Sequence, residues 1–200
     1  MDEIFNNEIA KQVTSAILDK YFSPIISKTT DKFKTLYNEA KINLEIPFQD
    51  YLTNSYKKYS KIKTIIYGIE PKRLYDFFEV PFLEKGSDII KPTTTRVLTD
   101  ISKFLIIEGT GGIGKSTLMK HLFLSELELK DYIPIFIELK DFNEEEHLDL
   151  EQLLLKKLNQ FHNTFKEEYL DYHFNRDAFY SYWMAMMNCI AKTKKNFSRS

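Results

Sequence analysis

The sequence predicts an α/β protein: a parallel sheet with helices on its faces, preceded by an α-helical, aromatic-rich N-terminal region. Three observations carry this. Between Val97 and Phe161, short apolar runs alternate with amphipathic stretches in a β-α-β-α order, which favours parallel strands joined by crossover helices. A glycine-rich segment stands between the first of those runs and the helix after it. Upstream, apolar residues recur every four positions from Ile9 to Ile25, and aromatic residues crowd positions 46–92.

The first helical stretch is expected from Asn7 to Lys41. Ile9, Val13, Ile17, Tyr21 and Ile25 give it one apolar face, with Leu18 and Phe22 beside them. Pro24, lacking an N–H, should kink or split it, and a second helix should begin near Thr30–Asp31 with Phe33, Leu36, Tyr37 and Ala40. Such faces ordinarily pack inside the same chain; self-association or a partner protein is the other use.

From Ile46 to Pro92 come Phe48, Tyr51, Tyr56, Tyr59, Tyr67, Tyr75, Phe77, Phe78 and Phe82, with Lys57, Lys58, Lys61 and Lys63 among the tyrosines. Interleaved aromatics and lysines can bind single-stranded nucleic acid. A solvated lysine face over half-buried tyrosines is the commoner meaning, so nucleic acid is not the expected partner. Thr64–Tyr67 reads as a short strand, and Pro71, Pro81, Gly86 and Pro92 mark an adaptor region. Beyond it, Phe104–Glu108 reads as a buried parallel strand and Ser116–Leu129 as a helix. Ile133–Leu139 reads as a second buried strand and Leu148–Phe161 as a second helix.

Bulk properties narrow the function classes. With 28 Lys and Arg against 29 Asp and Glu, net charge −1 gives no general attraction to anionic polymers or membranes. A single cysteine excludes an intramolecular disulfide framework and fits a reducing compartment. The start, Met1-Asp2-Glu3-Ile4-Phe5, lacks the basic head of a signal peptide. No apolar run approaches the ~20 residues of a membrane span. A cytoplasmic protein is expected.

The chemistry lies in Gly109-Thr110-Gly111-Gly112-Ile113-Gly114-Lys115-Ser116-Thr117, which matches G-x-x-x-x-G-K-[ST], the phosphate-binding loop. Glycines allow successive N–H groups to turn inward as an anion nest. The following helix points its positive end at the same anion. Lys115 would reach the β- and γ-phosphates, and the Ser116 hydroxyl would join a Mg²⁺ shell. A chance match in a chain of this length is on the order of one per cent. ATP and Mg²⁺ are the expected cofactors.

The run from Ile106 to Leu122 resembles the NACHT family of signal-transducing NTPases, bacterial members especially. Ile133-Pro134-Ile135-Phe136-Ile137-Glu138-Leu139-Lys140-Asp141-Phe142-Asn143 is similar to the family's strand-and-turn of the form PIFIELRDLN. The resemblance covers Lys103 to Phe161. It implies an incomplete P-loop NTPase sheet in the α/β class, ATP as ligand, and a nucleotide-controlled switch of bacterial signalling or anti-phage defence. The implied division is 1–45 helical, 46–96 adaptor, 97–178 the N-terminal part of the NTPase domain, and 179–200 a tail.

In that family an acidic strand, Leu-Leu-Asp-Gly-x-Asp-Glu, should fall near 175–190, supplying carboxylates for Mg²⁺ and the attacking water. Here the chain reads Phe179-Tyr180-Ser181-Tyr182-Trp183-Met184-Ala185-Met186-Met187-Asn188-Cys189. Trp and Met have one codon each, so Tyr182–Cys189 back-translates as TAY-TGG-ATG-GCN-ATG-ATG-AAY-TGY. Read one base earlier, this becomes Leu, Ile or Val followed by Leu-Asp-Gly-x-Asp-Glu-Leu. The Asp, Gly, Asp and Glu are forced by the code. The expectation is a frameshift upstream of Phe179, an out-of-frame tail that carries no functional inference, nucleotide affinity that is weak at best, and no useful hydrolysis. A small P-loop kinase and a non-catalytic protein-interaction module are the rival functions.

Overall fold

A computed structural model describes residues 7–26, 48–63, 70–102, 105–138, 150–160 and 189–190. The first helix, α1, runs Asn7–Ile26. Its Val13, Ile17 and Leu18 are buried and Ile9 is partly so, as the four-residue repeat requires. Pro24 does not divide it. The helix continues to Ile26, so the missing N–H falls in the last turn and costs one hydrogen bond near a fraying end. The second helix expected from Thr30 and the strand expected at Thr64–Tyr67 lie outside the described residues.

A second helix, α2, spans 48–59 and buries Phe48, Tyr51, Leu52 and Tyr59. The chain then forms a two-stranded antiparallel ribbon, β1 (Lys61–Ile62) and β2 (Lys72–Arg73). A 3₁₀ turn, Leu74–Asp76, follows, and the Leu74 N–H donates to the Ser60 carbonyl at 2.8 Å. A hairpin of β3 (Leu83–Lys85) and β4 (Asp88–Ile90) turns at Gly86, φ +64°. A short helix, α3 (Thr95–Thr99), leads to the strand β5 (Leu105–Ile106).

The helix α4, Lys115–Leu129, lies between two apolar clusters. Leu118 and Leu122, one turn apart, meet Leu98 and Ile107 on one side. Phe123, Leu124 and Leu127 meet α1, α2, Leu74, Ile135 and Leu158 on the other. Its second half is therefore buried nearly all round, as for a helix inside a core. Aromatic edges fasten it: Phe123 stands T-shaped to Tyr59 at 5.0 Å and to Tyr51 at 6.4 Å. The last helix, α5, covers Leu150–Leu158, inside the expected Leu148–Phe161.

The architecture is mixed helix and short strands, and the expected parallel sheet is not formed among the described residues. The sole parallel pairing there joins β5 to β6 (Cys189–Ile190), Leu105 opposite Cys189 and Ile106 opposite Ile190. The segment expected as a second buried strand is irregular over its described residues, 133–138. Pro134 has no N–H, and the Phe136 N–H donates to the Tyr51 hydroxyl at 3.1 Å instead of to a neighbouring strand. Ile135 is buried and Phe136 meets Tyr59 at 4.9 Å, so the segment joins the core through side chains without a ladder. Ile106, expected within a covered strand, is 63% exposed. A two-residue pairing leaves a face that a full α/β sheet would bury.

Candidate functional site

The nine motif residues form the bend between β5 and α4. Gly112 has φ +83° and Gly114 φ +95°, a region costly for residues with a Cβ. Gly114 occupies the N-cap of α4, and its carbonyl accepts the first helical bond from the Leu118 N–H at 2.9 Å. Gly109 is tight for another reason: a Cβ there would stand 3.1 Å from Ile113 Cγ2. Thr110, Gly111, Gly112, Ile113 and Ser116 are exposed, while Gly109, Gly114, Lys115 and Thr117 are half-buried.

Lys115 folds back over the bend. Its Nζ donates to the Gly109 and Thr110 carbonyls, each at 2.8 Å. The ammonium thus bridges the first two carbonyls of the loop. A phosphate entering here would replace those two acceptors with better ones, because a charged acceptor bonds an ammonium more strongly than a neutral carbonyl. The N-terminus of a 15-residue helix adds its positive end. Two left-handed glycines, a helix N-terminus and Lys115 therefore meet at one largely exposed bend.

The other end of α4 is held by a polar cluster that sequence pattern did not reveal. Glu126 is fully buried. Its Oε1 accepts from the backbone N–H groups of Asp131 (3.2 Å) and Tyr132 (2.8 Å), and its Oε2 accepts from the Thr95 hydroxyl. Lys130, φ +56°, turns the chain out of the helix and brings those two N–H groups onto the carboxylate. Burial raises the Glu126 pKa, against the pull of its bonds to Thr95 and Tyr132. Asp131 is held below the usual carboxylate range by Arg96, whose Nε lies 2.5 Å away, and by Lys20 at 3.0 Å. His121 joins Tyr75 (Nδ1 to hydroxyl, 3.1 Å) and donates from Nε2 to the Thr93 carbonyl at 3.0 Å. Burial lowers its pKa.

Among the described residues, no group of three or more His, Cys, Asp or Glu could hold a metal ion. The expected acidic strand would fall within 175–190, outside the described residues except at 189–190. Ser116 is exposed beside the loop and offers one hydroxyl oxygen. No helix among the described residues is long and apolar enough to cross a membrane. The chain matches no protein-family model, no curated protein and no solved structure.

Proposed function

We propose that this chain binds ATP as the N-terminal part of a NACHT-type signal-transducing NTPase of bacterial signalling or anti-phage defence, and that it does not hydrolyse it usefully. The observation that supports this most is the conjunction at the bend. A G-x-x-x-x-G-K-[ST] motif coincides with two left-handed glycines, a helix N-terminus and a lysine poised over the loop. Loop N–H groups and Lys115 would hold the phosphates, and Ser116 would offer its hydroxyl to Mg²⁺, which supplies charge neutralisation between phosphate oxygens when bound. Catalysis also needs a carboxylate to orient the attacking water, and the residues forced in the alternative frame are those carboxylates.

The experiment uses radiolabelled ATP with magnesium and the purified chain. Retention of unhydrolysed ATP, together with close relatives of the gene that encode Leu-Asp-Gly-x-Asp-Glu unshifted, agrees with this reading. Transfer of the γ-phosphate to a small acceptor would instead favour a P-loop kinase. Failure to retain nucleotide would leave the interaction-module reading.

A further inference from the structure

The sequence places Lys57, Lys58, Lys61 and Lys63 close together, and the fold adds two more cations to them. The ribbon sets Lys61 directly opposite Arg73 and Ile62 opposite Lys72. Six cations against the single acid Glu70 leave +5 between residues 57 and 73, in a chain whose total is −1. All six are exposed. Lys58 is partly engaged by Glu138 at 3.4 Å. Lys61 and Arg73, opposite each other in the ribbon, concentrate positive charge at one point along it.

We propose that the end of α2 and the β1–β2 ribbon form a binding track for the phosphate backbone of single-stranded nucleic acid, with Lys57, Lys61, Lys63 and Lys72 as its main contacts. Tyr75 follows this track by two residues; its hydroxyl bonds His121 and its ring stands T-shaped to that imidazole, and the 51% of it that is exposed offers a surface on which a base can stack irrespective of sequence. An anionic membrane competes for the same charges, and vesicle binding is therefore an outcome of the test. A two-residue ribbon is too short to fill the groove of a duplex, which leaves the flexible single strand. This site is independent of the nucleotide loop.

The test is fluorescence anisotropy of labelled oligothymidylate with the full chain. Affinity should fall with salt, with a log–log slope of about −3 for four lysine–phosphate contacts. Reversing Lys57, Lys61 and Lys72 to Glu should weaken binding at least about tenfold. Reversing Lys11, Lys85 and Lys91 changes net charge equally and should leave most of the affinity. Should the first variant fail to fold by circular dichroism, single Lys→Gln changes at the same positions should each flatten the slope by about 0.7. No binding at low salt, equal loss in both triple variants, or tighter binding to phosphatidylserine vesicles or polyglutamate would overturn the proposal.

Discussion

Glu126 shows at the scale of one residue how a buried charge is kept. Its carboxylate replaces the missing helical acceptors for two N–H groups past the end of α4 and also takes the Thr95 hydroxyl. Removing it should strand those donors, each at about 1–3 kcal/mol, so Glu126→Ala should lower stability by at least about 2 kcal/mol in urea unfolding. Glu126→Gln keeps an acceptor for the N–H groups and a partner for Thr95, and should cost much less. The two also differ from the wild type in pH dependence. A carboxyl whose folded pKa is raised contributes stability below its unfolded pKa, and that contribution is lost as pH rises through the folded value. This loss should vanish in Glu126→Gln. Asp131, lowered by Arg96 and Lys20, behaves oppositely: its contribution is present above the unfolded pKa and lost as pH falls through the folded one.

At the scale of elements, α1, α2 and α4 share one core although they are far apart in sequence. Ile17 is 1% exposed within it, and Ile17→Ala should cost about 2–5 kcal/mol. Far-UV dichroism and tyrosine fluorescence should report the same lowered midpoint; separate midpoints would show α1 to be an independent unit. The apolar faces of α1 and α4 were legible because a helix writes its burial as a three-to-four-residue repeat, as Val13, Ile17, Leu118 and Leu122 do. The apolar run Ile133–Leu139 reads as a strand although 133–138 are irregular, because such a run records only that it is buried. Whether Phe136 bonds a neighbouring strand or the Tyr51 hydroxyl depends on what the rest of the chain places beside it. Glu126, His121 and Thr95 were illegible for a related reason: their partners come from separate segments, and no local spacing records such a meeting.

Over the whole molecule, the loop Gly109–Thr117 is presented by a helix clamped at its far end. Apolar contacts on both sides of α4 and the polar cluster around Glu126 hold its axis. For the nucleotide binding proposed above, such preorganisation would lower the ordering cost. The backbone of the motif is legible residue by residue, because a glycine-rich bend depends on local freedom: Gly112 and Gly114 take the left-handed angles expected of the motif's glycines. What the motif did not disclose is that Lys115 already bonds the Gly109 and Thr110 carbonyls. The most direct test of this account is calorimetric titration of magnesium–ATP into the purified chain and into Lys115→Ala. Saturable binding weakened about tenfold or more by loss of the charged bonds, without steady heat from turnover, is the predicted result. Equal affinity in the two proteins, or sustained magnesium-dependent hydrolysis by the unaltered chain, would contradict it.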